Sequence, residues 1–276
     1  MNYKVEQNNI IMAPFENFSL ALTLDCGQAF RFSEKDGVWE GIVGEKKIKT
    51  RQKENGEVIF YNTTEEEFLT FISDYFDFNT DYNCLKELYK QNETLKNAIE
   101  YCGGIRILKQ NSWEALCSFI ISQNNNIKRI KGIIERLCEA FGEKTEDGYL
   151  FPHPEVLAEK TPEDLSFLRA GFRDKYIIDA ARKVASGEVD FDKIKAASLE
   201  EAIEELTKIR GVGLKVASCV LLYGFHKTEA FPVDVWIKRV LSEYYPEGFP
   251  KEFYETRGIA QQFLFHYIRN KEEADK

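Results

Sequence analysis

The chain has 276 residues, 43% hydrophobic and 13% aromatic, enough for one large domain or two to three small ones. Its net charge of −9 argues against a nonspecific nucleic-acid coat protein, but leaves room for an enzyme that meets DNA on a local basic face. Six scattered cysteines without a CxxC and three histidines without an HExxH point away from a zinc ribbon, a disulfide framework or metal catalysis. No run approaches a membrane span, and the start MNYKVEQNNI lacks a signal-peptide layout, so an intracellular protein is expected.

In chain order, residues 1 to about 62 read as a small antiparallel sheet. Residues 18–24 alternate in polarity, 29–32 follow a turn at Gly27, and 38–43 and 46–51 alternate again. Asn55-Gly56 signals a hairpin into a strand at 57–61. From Thr64 the period becomes helical: Thr64-Glu65-Glu66-Glu67 is a helix start, with Phe68, Phe71, Ile72 and Tyr75 on one face. Further helices are expected at 85–89, 93–101, 113–121, 127–141, 162–170 and 175–185, and a C-terminal one at about 252–270. The expected class is α+β, an N-terminal small antiparallel sheet followed by a mostly α-helical body. Gly103-Gly104 marks the boundary, giving domains 1–104 and 105–276, with the C-terminal helix packing back towards the N-terminal part. The acidic surplus falls outside 206–241, for example at 64–67 and in the tail at 271–275.

The stretch 206–241 carries the chemistry. Ser198-Leu199-Glu200-Glu201 is a capping-box pattern that starts a helix running to about Ile209. Arg210-Gly211-Val212-Gly213 then forces a tight turn, and a second helix runs from Leu214 to about Tyr223, with Gly224 placed to end it. Such a hairpin offers backbone N–H groups of Gly211, Val212 and Gly213 to a phosphate. Within 206–241, six basic residues (Lys208, Arg210, Lys215, Lys227, Lys238, Arg239) against two acids (Glu229, Asp234) leave a local excess of four. Lys215 lies in the first turn of the second helix, where the positive end of the dipole disfavours an ammonium. A neutral amine there can attack a sugar C1′, while a phosphate contact is an equally good reading of the residue alone. Asp234 reads as the cap of the next helix, and an anchored carboxylate can also stabilise an oxocarbenium charge.

Weaker signals accompany these. Cys219 shares a helix face with Lys215, and ordinary core packing is its commoner role. Gln261 and Phe265 are four apart, as an amide beside a ring that stacks a flipped base would be, or a core Phe beside an exposed Gln. Asn124-Asn125-Asn126 joins two helices, where asparagines suit caps and turns or the hole left by an extruded base. Arg129 lies one turn on, and Gly171-Phe172-Arg173 has the makings of an intercalating wedge.

Together these residues resemble the helix-hairpin-helix glycosylase superfamily of DNA base-excision repair, and within it the eukaryotic-type 8-oxoguanine DNA glycosylases. The resemblance rests on Cys26-Gly27-Gln28-Ala29-Phe30-Arg31, on 118–127, on Gly171-Phe172-Arg173 with Lys175-Tyr176, on 211–219 with Pro232-Val233-Asp234-Val235, and on Gln261 with Phe265. It implies Lys215 as the Schiff-base nucleophile and Asp234 as the catalytic carboxylate. Gly27 would accept a hydrogen bond from the N7–H that marks 8-oxoguanine, Cys219 and Phe265 would sandwich the base, and Gln261 would read its Watson–Crick edge. Asn124 would fill the vacated space, Arg129 and Arg173 would meet the opposite cytosine, and Phe172 would wedge beside it. It further implies damaged double-stranded DNA as partner, a monomer, no membrane, a monovalent cation on the hairpin carbonyls and no other cofactor. Trp236 stands where the eukaryotic enzymes carry a histidine, and Phe172 where a tyrosine is usual. These departures and the compact length suit a bacterial or archaeal member, cytoplasmic and nucleoid-associated.

Two rival readings are another glycosylase of the superfamily with different base specificity, and a noncatalytic helix-hairpin-helix DNA-binding module. No cysteine follows Cys219, which argues against the iron–sulfur branch, and Lys215 argues against the alkyl-base branch.

Overall fold

The computed structural model describes residues 1–274, so Asp275 of the acidic tail lies outside the described residues. Six strands, β1 (Tyr3–Glu6), β2 (Asn9–Met12), β3 (Phe32–Lys35), β4 (Val38–Val43), β5 (Lys46–Gln52) and β6 (Val58–Phe60), form one sheet in the order β1-β2-β6-β5-β4-β3. The pairs β1–β2, β2–β6 and β5–β6 are antiparallel, with Ile10 and Thr50 both opposite Phe60. Ile10, Met12, Ile48, Thr50, Val58 and Phe60 are buried, alternating with more exposed neighbours as a one-sided sheet requires. β1 and β2 fall within the stretch read as sheet, without strand bounds of their own; a turn at Gln7 and Asn8, both at positive φ, joins them.

Helices α1 (Leu20–Asp25), α2 (Glu65–Glu67), α3 (Ser73–Tyr75), α4 (Tyr82–Tyr89) and α5 (Glu93–Cys102) follow or interrupt the strands. Next come α6 (Ser112–Ser122), α7 (Ile127–Phe141), a small hairpin of β7 (Lys144–Thr145) and β8 (Gly148–Tyr149), and α8 (Pro154–Ala158). The chain continues with α9 (Arg173–Ala185), α10 (Phe191–Ala196), α11 (Leu199–Thr207), α12 (Leu214–Gly224), α13 (Val235–Tyr244) and α14 (Arg257–Ala274).

Three expectations are corrected. The alternating stretch 18–24 is not a strand: Ser19 caps Leu22 N–H at 3.3 Å and α1 begins at Leu20, burying Leu20, Thr23 and Leu24 at helical spacing. The strand expected from Ala29 begins only at Phe32. The helix expected at 162–170 shrinks to a 3-10 turn at Ser166–Leu168: Thr161 and Asp164 form reciprocal bonds of the capping-box kind, but Arg169 adopts a left-handed φ of 57° and ends the element. The capping boxes at Thr64/Glu67 and Ser198/Glu201 are both formed, although a π-turn at Phe68–Ile72 follows the first.

The fold divides into two compact units, and not at residue 104. Unit 1 takes Met1–Glu40, Ile48–Lys109 and the chain from Thr228 onward; unit 2 takes Gly41–Lys47 and Gln110–Lys227. In unit 1 an aromatic cluster of Phe18, Phe60, Phe68, Phe76 and Phe78 holds the sheet, with ring centroids 5.1–5.9 Å apart across the pairs Phe18–Phe76, Phe18–Phe78, Phe60–Phe68 and Phe60–Phe76. α14 packs on α5, where the Cys102 thiol donates to the Phe263 carbonyl at 3.4 Å. In unit 2, α6 and α12 are apolar on nearly every face and are buried against one another. Gly224 lies at that crossing: a Cβ on it would sit 3.0 Å from Ala115 Cβ, so packing rather than a left-handed helix end explains it. Among the described residues no helix is long and apolar enough to cross a membrane, and no group of three or more His, Cys, Asp or Glu is placed to hold a metal ion.

Candidate active site

Unit 2 carries the hairpin. After α11, Ile209 N–H donates to Leu206 O at 3.1 Å and Val212 N–H to Ile209 O at 3.0 Å. Arg210 N–H donates to Asp179 Oδ2 at 2.7 Å, which ties the turn to α9. The two glycines do different work. Gly211 has φ +80°, and a Cβ there would lie 2.2 Å from Tyr176 Cδ2, so both backbone and packing demand glycine. Gly213 has φ −99° and ψ −177°, which any residue adopts, and a Cβ there would meet nothing within 4 Å. Gly213 is also the cap position of α12 and supplies no side-chain bond, so the first-turn N–H groups of α12 face outward unclaimed by a cap. Half-buried Lys215 stands in that turn, its Nζ 5.8 Å from the Phe119 ring centroid. Cys219, one turn later, is buried and not in a disulfide.

The same unit separates the three asparagines. Asn125 Nδ2 donates to Ile121 O at 3.1 Å, and Asn126 Oδ1 accepts from Arg129 N–H at 2.9 Å as the cap of α7. Asn124 alone spends its side chain on neither: it is exposed, at φ +46°. Its backbone is held by Arg173, whose Nε donates to Gln123 O at 2.9 Å and Nη1 to Ala170 O at 2.8 Å. Arg173 Nη2 donates to both Gln123 O and Asn124 O. Arg173 is therefore turned inward and buried, 4% exposed, rather than presented outward; reaching an opposite base requires releasing those carbonyls. Phe172 is 52% exposed, its ring edge-on to Tyr176 at 5.6 Å. Arg129 is exposed and donates from Nη2 to Arg169 O at 3.0 Å.

Unit 1 carries the other expected site residues. Asp234 caps α13: its Oδ1 accepts from Trp236 N–H at 3.0 Å and Ile237 N–H at 2.9 Å. Among the described residues Oδ2 has no partner. Trp236 stacks against the Arg239 guanidinium, 5.1 Å from the ring centroid. On α14, Gln261 is buried; its Nε2 donates to Pro232 O at 3.1 Å while its Oε1 is buried without a partner. Next to it, Gln262 Nε2 donates to Cys26 O at 3.4 Å. Two adjacent glutamines thus tie the loop before Asp234 and the loop at Gly27 to one helix. Phe265 is half-buried one turn beyond Gln261.

Gly27 has φ +87°, a conformation that suits glycine. The residue that holds it is Gln28, fully buried: Nε2 donates to Thr23 O at 2.9 Å and Arg106 O at 2.8 Å, and Oε1 accepts from Leu108 N–H at 2.9 Å. Gln28 and Tyr176 stand in motifs that carry the resemblance but had no role assigned, and Gln262 had none either. A polar residue between Cys26-Gly27 and Ala29-Phe30 was the available signal for Gln28. Gln262 and Tyr176 act on segments distant in the chain, which local sequence does not reveal.

Two family models together span residues 10–255: the 8-oxoguanine DNA glycosylase N-terminal domain over 10–116, and the HhH-GPD superfamily of base excision DNA repair proteins over 117–255. The chain is 33% identical over 260 residues to an N-glycosylase/DNA lyase of Saccharomyces cerevisiae, covering 82% of this chain and 68% of that protein. It is 32% identical over 222 residues to a probable N-glycosylase/DNA lyase of Methanothermobacter thermautotrophicus, covering 68% and 71%. Among solved structures, an 8-oxoguanine glycosylase/lyase of Clostridium acetobutylicum, in complex with duplex DNA containing cytosine opposite 8-oxoguanine, superposes with a TM-score of 0.91 at 37% identity over 99% of both chains. The chain belongs to the HhH-GPD superfamily of base excision DNA repair proteins, in the branch that carries the 8-oxoguanine DNA glycosylase N-terminal domain.

Proposed function

We infer that this protein is a bifunctional DNA glycosylase and AP lyase that excises 8-oxoguanine from duplex DNA in base excision repair. The observation that carries the reading is the match over 99% of both chains to the Clostridium acetobutylicum 8-oxoguanine glycosylase/lyase. The match over the N-terminal domain favours this reading over an alkyl-base glycosylase and over a noncatalytic binding module.

We propose the following roles for the chain's own residues. The amine of Lys215 attacks C1′ of the lesion nucleotide and the C1′–N9 bond breaks, so the base leaves with the bonding pair. Asp234, fixed through Oδ1, directs Oδ2 at the positive charge that develops on the sugar and takes up the proton lost by the lysine nitrogen. The sugar ring opens to an iminium, and loss of a C2′ proton expels the 3′ phosphate by β-elimination. For base reading, the guanine edge presents N1–H and N2–H donors, which suits the unpaired, buried Oε1 of Gln261. The Gly27 carbonyl takes the N7–H that 8-oxoguanine has and guanine lacks, while Cys219 and Phe265 flank the base. Asn124 fills the vacated stack, Phe172 wedges beside it and Arg129 meets the opposite base. Arg173 follows only after its carbonyl contacts open. Backbone N–H groups at Gly211 and Gly213 hold a phosphate, whereas that of Val212, also expected there, is spent on Ile209 O. A monovalent cation on the hairpin carbonyls would fit the turn, where Ile209 O accepts one backbone bond and keeps a lone pair.

Borohydride reduction during reaction with an 8-oxoguanine duplex tests this. A covalent protein–DNA adduct is expected, and Lys215→Gln is expected to lose the adduct and base release together while still binding duplex. Full base release by Lys215→Gln would remove the lysine from the mechanism.

A further inference from the structure

Several clustered cations among the described residues have a carboxylate or are spent on carbonyls. Lys193 and Lys208 share Glu205 at 3.0 and 2.8 Å, Lys109 meets Asp74 and Asp77 at 2.9 and 3.2 Å, and Lys183 meets Asp179 at 3.4 Å. Arg106 is spent on the carbonyls of Phe76, Asp77 and Thr80. One group in unit 2 breaks this pattern. Arg129, Arg136 and Arg169 line a concavity of about 510 Å³ with Phe167. Among the described residues, none of the three has a carboxylate within ion-pair distance.

The geometry of this group is built rather than accidental. Two guanidiniums of α7 hold the turn at 166–169 by its carbonyls: Arg136 Nη2 donates to Leu168 O at 2.7 Å and Arg129 Nη2 to Arg169 O at 3.0 Å. Those contacts hold Arg169 at φ +57°, an uncommon place for an arginine, so its side chain joins the other two instead of continuing a helix. Arg136 Nε is buried and has no hydrogen-bond partner. Three positive charges gathered without an acid repel one another, and a buried N–H without an acceptor adds to the cost. An oxyanion relieves the repulsion, and planar guanidinium forks match the oxygens of a phosphate. The Phe167 ring, 47% exposed, adds an apolar surface of the kind a deoxyribose can cover.

We propose that this concavity binds a backbone phosphate of the DNA strand opposite the lesion, with Arg136 and Arg169 as contacts beyond those assigned above. The choice of strand rests on the glycosylase reading, in which Arg129 meets the opposite base. Arg129 would then connect base reading to strand anchoring, since it also holds the turn that carries Arg169.

The test is duplex affinity as a function of salt, measured in the Lys215→Gln background so that no turnover intervenes. Arg169→Asn and Arg169→Gly both accept a left-handed backbone, so the turn persists. Each is expected to flatten the slope of log affinity against log salt by about 0.9, one phosphate contact. Each should weaken binding by the same factor, roughly tenfold, for all four bases opposite the lesion. Arg169→Lys should restore most of the slope. An unchanged slope in both variants, or a loss that depends on the opposite base, overturns the proposal. So does tight binding of inorganic phosphate that Arg169→Gly removes without changing the duplex slope, which would make this a free-anion site. Failure of the wild-type chain to release 8-oxoguanine would instead strike the glycosylase reading, a separate measurement.

Discussion

Two helix starts carry the expected chemistry, and they are built in opposite ways. α12 begins at Gly213, which offers no side-chain cap, no Cβ and no neighbour within 4 Å of where one would be. α13 begins at Asp234, whose Oδ1 closes the first turn with two backbone bonds. An uncapped start keeps orphan N–H groups, which is unfavourable for the isolated helix and suits an anionic ligand. A capped start uses up its donors and rigidly aims the second carboxylate oxygen. The difference teaches that a cap position is a choice between stability and binding, and that a carboxylate such as Asp234 can anchor a helix through one oxygen and leave the other for chemistry.

The sharpest way to break that comparison is at Asp234. Asparagine caps a helix about as well as aspartate but carries no charge. Asp234→Asn should therefore leave the melting temperature nearly unchanged and slow single-turnover base release by roughly 10²- to 10⁴-fold. Asp234→Ala should show the same kinetic loss and in addition lose about 1 kcal/mol of stability with the cap. If Asp234→Asn retained wild-type rates, the carboxylate would be a cap and nothing more.

The hairpin glycines come next. Gly211→Ala places a Cβ on the Tyr176 ring in a left-handed backbone, and is expected to cost roughly 3 kcal/mol, read by denaturant unfolding. Gly213→Ser does the reverse. Its hydroxyl can cap α12, adding about 0.5 kcal/mol of stability, while it occupies the N–H groups proposed to meet a phosphate and so should weaken duplex binding roughly tenfold. A Gly213→Ser protein that is both more stable and equally tight would show that no phosphate uses that helix start.

These contrasts also mark what the sequence could show. Local grammar was readable: the Ser198/Glu201 and Thr64/Glu67 capping boxes, the Asp234 cap, the Asn55-Gly56 hairpin and the glycine turn all stand where their residue types put them. Period was less reliable over short spans, since seven residues at 18–24 satisfy both alternation and the burial of Leu20, Thr23 and Leu24 on one helix face. At 162–170 helical spacing was present, but the left-handed Arg169 outweighed it. What could not be read was long-range anchoring. Gln28 reaches Arg106 and Leu108, Gln262 reaches Cys26, and Arg173 reaches Gln123, each bonding backbone far along the chain that carries no side-chain signature. The inward turn of Arg173 belongs to this class, because exposure of an arginine depends on which carbonyls the fold brings near it.

A third helix start sharpens the comparison at smaller scale. α9 begins after Phe172, again without a side-chain cap, and its first-turn acid Asp174 is buried with Oδ1 unpartnered. Burial pushes this carboxyl up from its ordinary 3.8 to about 6, against the pull of neighbouring Arg173. A raised carboxyl holds its proton more tightly in the folded chain, so this group costs nothing below about pH 3.8. The folded state then loses stability as pH climbs through the window to about 6, and the full penalty stands above it. Asp174→Asn removes that penalty. Discounted for the carboxylate's partial contact with solvent, the variant should be more stable at pH 7.5 by about 1 kcal/mol, and no different near pH 3.5. Paired thermal melts at the two pH values read this directly. A variant less stable at pH 7.5 would mean that the carboxylate supports the first turn of α9, as Asp234 supports that of α13, despite lacking the bonds that make Asp234 a cap.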